Sequence, residues 1–272
     1  MRILISADIE GVAGVFHAEQ TRPGNPEYER ARLWMTQEAN AAVEGAFDGG
    51  ATEVLVNDSH GNFRNLLLDH LDRRARYIQG KPRYLGMMTG LEYDCDAVFM
   101  VGFHSRAQGR GVLAHTISSF AFSRVVFNGL ELGEPGLYAA LAGERGVPVV
   151  LGTGDNVFIE ENADLLSSAM WVETKQASGL NSACTLTPLA SQEAIRSAAE
   201  QAISRVAQSR PFVIAAPIDC VLTTTTSGMA DLFCQWPTLE RIDGVTVRFH
   251  ADTVESAVRI LNCLSAMSAM LR

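Results

Sequence analysis

Two short apolar runs near the start of the chain, Ile3-Leu4-Ile5 and Val54-Leu55-Val56, are separated by a segment that reads as one long helix. Residues 27–48 are rich in Ala, Glu, Arg, Leu and Met, all good helix formers. Pro26 suits the first helical turn, and Gly49-Gly50 supplies the stop. Strands joined through such a helix cannot form a hairpin. The connection is a right-handed crossover and the strands lie parallel. A third run, Ala97-Val98-Phe99-Met100-Val101, extends the pattern. The expectation is an α/β fold with a mostly parallel sheet flanked by helices. In such open sheets, ligands bind outside the carboxyl ends of the strands.

The residues at those ends are therefore the ones to weigh. The first run leads into Ser6-Ala7-Asp8-Ile9-Glu10-Gly11, the second into Asn57-Asp58-Ser59-His60, the third into Gly102-Phe103-His104. Asp8 and Glu10, two apart on a strand, would share one face. Two carboxylates on one face repel unless a cation lies between them. The alternative is that Asp8 caps the Gly11–Gly14 turn and Glu10 faces solvent. His60 and His104 are each either turn histidines or metal ligands. Beside an acidic pair, the balance moves to a metal. Asp58 would face with His60, as a ligand or, preferably, as an acceptor for a ligand imidazole. Glu134 precedes Pro135, which disfavours helical backbone before it and suits the first helical position itself. Glu134 thus stands extended at the lip of a helix, as a ligand or as a carboxylate favoured by the helix dipole. His115 is a further ligand, a general acid/base or a structural histidine. Lys175, at a strand end, contacts substrate or lies on the surface. His17, His70 and His250 read as structural or surface residues.

Composition excludes several classes. The net charge of −9 disfavours a nucleic-acid partner, which needs clustered Lys and Arg. No stretch approaches 18 uninterrupted apolar residues and no signal-peptide pattern opens the chain, so the expectation is no membrane span and a cytoplasmic location. Five widely spaced cysteines without a Cys-x-x-Cys read as reduced, mostly buried thiols.

Further along, residues 65–71 read as a short helix, 75–79 as a strand and 82–91 as a helix or helical turn. Asn128-Gly129 marks a β-ribbon over 116–128. A helix over 135–145, a strand over 147–151, a helix over 155–167 and a strand over 170–174 follow. Beyond Pro188, helix 191–208, strands at 211–223, 239–242 and 245–250, and helices at 226–233 and 252–271 suggest a smaller α+β unit. The expected division is 1–188, an α/β metal-binding catalytic domain, and 189–272, a smaller C-terminal α+β domain.

Taken together, several of these runs resemble the zinc-dependent D-aminopeptidases of the dipeptide-transport-operon type. The resemblance rests on Ser6–Gly11, Asn57–His60, Gly102–Ala107, Gly111–His115, Gly133-Glu134-x-Gly136, Gly154-Asp155 and Lys175-Gln176, in the same order, and is strongest over 1–176. It implies two zinc ions per chain on Asp8, Glu10, His60, His104 and Glu134, with Asp8 bridging, and a catalytic role for His115. It implies release of N-terminal D-residues such as D-Ala from short peptides by a metal-bound hydroxide. It also implies a homodecamer, a pair of rings whose sites face an inner channel. The other readings are a two-metal amidase or phosphoesterase with the same ligands, or a protein that binds a metal or small ligand without turnover.

Overall fold

The computed structural model describes residues 1–272. Strand β1 (Arg2–Ala7) is followed by helix α1 (Pro26–Asp48) and β2 (Glu53–Asp58). Then come β3 (Arg76–Ile78), β4 (Ala97–Phe103), the ribbon β5 (Phe122–Phe127) and β6 (Leu130–Glu131), and α2 (Glu134–Glu144). Next are β7 (Val149–Asp155), α3 (Asn156–Asn162), β8 (Met170–Gly179), β9 (Ser182–Thr185) and α4 (Pro188–Arg205). The chain ends with β10 (Ile218–Thr224), α5 (Ser227–Phe233), β11 (Glu240–Arg241), β12 (Thr246–Ala251) and α6 (Val254–Met267).

The first sheet has the order β3-β2-β1-β4-β7-β8-β9. All its pairs are parallel except β8–β9. The chain winds outward from β1 in one direction, then returns to β4 and winds the other way. That reversal between β1 and β4 is the topological switch point, where such sheets open a crevice for ligands. β1 lies between β2 and β4, with Ile3 opposite both Val54 and Ala97. The three strands that precede the candidate ligands are thus immediate neighbours.

Apolar runs without polar alternation fit a sheet covered on both faces. Ile3, Ile5, Val54, Val56, Phe99 and Val101 face α1 and α4, whereas Leu4, Leu55, Val98 and Met100 belong to the opposite core with α2 and α6. Asn25 caps α1, its side chain accepting from the Tyr28 amide, and Ala31, Met35, Ala39, Ala42 and Ala46 give the helix its buried stripe. Gly45 lets α4 approach closely, since a Cβ there would lie 2.2 Å from the Arg196 carbonyl oxygen.

The second sheet is antiparallel, β11-β12-β10-β5-β6. Its membership does not follow the expected division at 188. The ribbon β5–β6 pairs with β10 across that point, and α4 packs on α1 in the first layer. The short helix expected over 65–71 reduces to a 3₁₀ turn at Leu68–His70, and of the two readings for 82–91 the helical turn holds, with 3₁₀ turns at Gly86–Met88 and Leu91–Tyr93. Strand β9 was not expected from the sequence.

Val254–Leu271 has the length and mean hydropathy, 1.2, of a membrane span. Its apolar side, Val254, Ala257, Val258, Leu261 and Leu264, is buried, and the helix packs on α2 and β12. All five cysteines are free, but Cys184 and Cys263 are exposed rather than buried.

Candidate metal centre

β1 ends at Ala7, so Asp8 and Glu10 lie in the loop beyond it. Their common direction comes from that loop rather than from strand alternation. The loop is laced to the end of β4: the Asp8 amide donates to Val101 O at 2.8 Å and the Gly11 amide to Gly102 O at 2.7 Å. Two glycines permit the approach. A Cβ on Gly11 would meet Phe103 O at 1.9 Å, and one on Gly102, at φ +73°, would meet Asp8 O at 2.3 Å. His104 follows β4 directly, and His60 follows β2 by two residues. Glu134 is the first residue of α2, with Gly133 as its cap, so the helix begins one residue earlier than the proline implied.

These residues converge. His60 Nδ1 lies 3.0 Å from Glu10 Oε2 and 3.3 Å from Asp8 Oδ1. His104 Nε2 lies 3.6 Å from both Asp8 Oδ2 and Glu134 Oε1. His115 Nε2 lies 3.5 Å from Glu134 Oε1, and its ring stacks on His104 with centroids 4.1 Å apart. One oxygen of Asp8 therefore faces each of two imidazoles. The ligand atoms of Asp8, Glu10 and His104 lie within 4.8 Å of one another, as do those of His104, His115 and Glu134. Asp8, Glu10, His104 and Glu134 are almost wholly buried, and the side chains of His60 and His115 are 12% and 19% exposed.

Each imidazole is oriented by a backbone carbonyl. His60 pairs through Nε2 with Thr21 O (2.8 Å), His104 through Nδ1 with Ser105 O (2.9 Å), and His115 through Nδ1 with Leu113 O (2.8 Å). A carbonyl only accepts, so the paired nitrogen must be the N–H. In the neutral ring the other nitrogen then carries a lone pair, and in all three it faces a carboxylate. Lone pair against carboxylate is repulsive unless a proton or a cation lies between. His104 Nε2 is buried without any hydrogen-bond partner. Such a set fits divalent metal ions with mixed imidazole and carboxylate ligands.

With protons alone, the cluster is frustrated. Burial, then the Glu10 charge, raises Asp8 to about 8. Burial opposes protonation of His104, but Glu134 and the other carboxylates outweigh it and raise the ring to about 10. Burial also opposes protonation of His60, where Glu10 and Asp8 prevail. His115 moves the other way, its basicity lowered by burial and by neighbouring His104.

Two assignments from sequence change. Asp58 does not touch an imidazole. Its carboxylate accepts from the Asn65 amide (2.5 Å), the Leu66 amide (2.8 Å) and Asn65 Nδ2 (2.7 Å), fixing the turn after His60. Lys175 is neither at the surface nor open to substrate. It is 2% exposed, and its ammonium donates to Glu10 O (2.5 Å), Val12 O (2.8 Å) and Val15 O. The lysine thus clamps the loop that carries Glu10. Glu38 holds the same loop from α1, accepting from the Ala13 amide at 3.0 Å and from Ser191 Oγ at 2.7 Å. Replacing Lys175 with methionine leaves the buried carbonyls of Glu10 and Val15 without a donor, while Val12 O keeps only the Val15 amide. The expected result is a lower Tm and divalent-metal binding weakened by roughly 10–100-fold, read by titrating the metal-free protein. Unchanged affinity would remove Lys175 from the support of the centre.

Asp155 also acts here, and only its place in the resemblance marked it. One oxygen caps α3 through the Phe158 amide at 2.8 Å, and the other accepts from the Val112 amide at 2.6 Å, fixing the loop that carries His115. The orienting carbonyls of Thr21, Ser105 and Leu113 leave no side-chain signal in a sequence. His17, His70 and His250 lie outside the cluster: His17 caps a 3₁₀ turn, and His250 lies near Asp219.

A model of a peptidase family described as D-aminopeptidase matches residues 1–263. A D-aminopeptidase of Bacillus subtilis (strain 168) is 35% identical over 188 residues, covering 69% of this chain and 68% of that protein. A solved structure, the Zn-dependent D-aminopeptidase DppA from Bacillus subtilis, described as a self-compartmentalizing protease, superposes with a TM-score of 0.95. It is 28% identical, with 99% of this chain and 98% of that one covered.

Proposed function

The chain belongs to the D-aminopeptidase family, an enzyme family of metallopeptidases, and we propose that it removes N-terminal D-residues such as D-Ala from short peptides with two zinc ions. The zinc dependence stated for the solved relative supports the choice of metal. Asp8, Glu10, His60, His104 and Glu134 would hold the ions. The observation that carries this reading is the set of imidazoles whose N–H groups are committed to carbonyls and whose free nitrogens face three carboxylates.

Zinc, when bound, supplies Lewis acidity toward a carbonyl and lowers the pKa of water to near neutrality. The protein contributes the rest. Asp8 spans the two halves of the cluster with one carboxylate. Glu10 and His60 complete one half, His104 and Glu134 the other. His115, neutral and with Nε2 free, moves a proton between the attacking water and the departing amine. The Ile117 amide, donating to Glu134 Oε1 at 2.6 Å, keeps that carboxylate turned to the cluster.

The description of the relative as self-compartmentalizing supports a homo-oligomer here as well, and we assign this chain the decameric ring pair that the family resemblance implies. We place it in the cytoplasm, in keeping with its reduced cysteines.

The test combines metal analysis of the purified protein with a panel of dipeptides that carry an L- or a D-residue at the amino end. The expected result is two zinc ions per chain and faster turnover of D-substrates. Fewer than one metal ion per chain with no stereochemical preference would overturn the proposal.

A further inference from the structure

Beside the metal cluster, on the far side of the His60 ring, lies a cavity of about 430 Å³. His60 is the shared wall: Nδ1 faces Glu10 and Asp8, while Nε2 faces Thr21, another lining residue. The volume is that of a small-molecule site, but the lining is almost wholly polar. Among its side chains are those of Arg32, Arg64 and Arg272, with Glu29 the one acidic side chain. In a chain of net charge −9, that local excess of positive charge runs against the whole.

The three arginines are not equivalent. Arg32 is committed to the fold: it donates to Asn65 O at 2.7 Å and Arg64 O at 3.3 Å, lies 3.5 Å from Glu29, and sits over the Tyr28 ring. The Arg64 guanidinium makes no hydrogen bond or ion pair within the chain. That of Arg272 makes only a cation–π contact, 5.0 Å from the Phe120 ring. Two free guanidiniums thus face a polar cavity whose inner wall is a metal-site histidine. Guanidinium forks match carboxylates in geometry and charge.

We propose that this cavity is the subsite for the free C-terminal carboxylate of a short peptide, held by Arg64 and Arg272 while the amino end lies at the metal centre. This rests on the aminopeptidase reading and deepens it. The substrate class becomes di- and tripeptides ending in a free carboxylate, not peptide amides or the ends of long chains. The positive cavity also draws anionic peptides toward an otherwise acidic protein.

The experiment compares D-alanyl-D-alanine with D-alanyl-D-alaninamide, which differ only in the terminal carboxylate. The zinc-loaded enzyme should favour the acid in kcat/KM by roughly tenfold or more, mainly through KM. R64Q and R272Q should each cut that ratio several-fold, the double variant should bring it near one, and added salt should erode it in the parent. Arg64 is exposed and makes no bond, so its loss leaves the fold intact. A parent ratio near one, with both substrates hydrolysed, overturns the subsite and leaves the aminopeptidase standing. So does a ratio that persists in the double variant. A change of oligomeric state in R64Q without a change in ratio assigns the arginines to a neighbouring copy and also overturns it. Hydrolysis of neither substrate by the zinc-loaded parent sinks the aminopeptidase reading itself.

Discussion

Replacing Asp8 with asparagine is expected to lower kcat/KM for a D-alanyl dipeptide on the order of 10³-fold or more and to remove at least one zinc ion per chain. The reason is the double contact of this one carboxylate, 3.3 Å from His60 Nδ1 and 3.6 Å from His104 Nε2. Asparagine matches the shape, yet it carries no charge and turns N–H groups toward one of the two halves. The fold should not suffer. Asp8 Oδ1 also accepts from the Ile9 amide at 2.8 Å, a bond the amide oxygen can keep. Burial and Glu10 already favour the protonated acid in the metal-free protein, raised to about 8. At pH 7 the metal-free variant and parent therefore carry a similar local charge and should melt at similar temperatures. The parent alone should gain stability when zinc is added. The sign of the pH effect follows. Zinc must displace protons from Asp8 and from His104, so apparent zinc affinity rises with pH through the neutral range and falls on acidification. Two zinc ions in D8N and a rate within tenfold of the parent would refute the bridging role.

The second large effect is expected at His115. Substitution by alanine should reduce kcat by about 10²–10⁴-fold while both zinc ions remain, the range a positioned general acid/base contributes. The ring is well held for that work. Its Nδ1–H is tied to Leu113 O, its face rests on His104 at an interplanar angle of 11°, and its Nε2 makes no hydrogen bond and lies 3.5 Å from Glu134 Oε1. Burial and, in the metal-free protein, the charge on His104 lower its basicity below the ordinary 6.5, and a bound cation at the same place would act with the same sign, so the neutral ring prevails near pH 7. The acidic limb of the pH–rate profile should accordingly lie below 6.5 and vanish in H115A. Full activity in the variant removes His115 from catalysis. Loss of one zinc ion makes it a ligand.

The strand ends were legible because each is a local signal: an apolar run, then Asp8, His60 or His104. Parallel order of the first two strands followed from the helix between them, whereas the pairing of β4 with β1 had no local signal. Pairing at long range was not legible. Nothing near Phe122–Phe127 announces that it joins Ile218–Thr224, so a linear division at 188 missed the ribbon's place in the second sheet. The α1 surface that receives α4 was equally invisible, since its key residue, Gly45, reads only as a weak helix former. Lys175 misled for a similar reason. A lysine normally signals surface, and three carbonyls converging on it come from a loop about 160 residues away. Residues 65–71 have helical composition but form only a 3₁₀ turn, since Asp58 takes up the Asn65 and Leu66 amides at the start of the segment.

The chain order of the ligands carries a consequence for how the protein is made. Glu10 and Glu134 are separated by more than a hundred residues, and no two histidines of the centre lie within one turn of each other. A nascent chain therefore offers no compact chelating motif to passing metal. The halves of the centre meet only after β4 has slotted in beside β1 and α2 has formed behind it, a pairing of high contact order. A full two-site centre therefore waits on that pairing, whereas the residues of the Glu10–His60 half are all present once β2 and the turn after it are made.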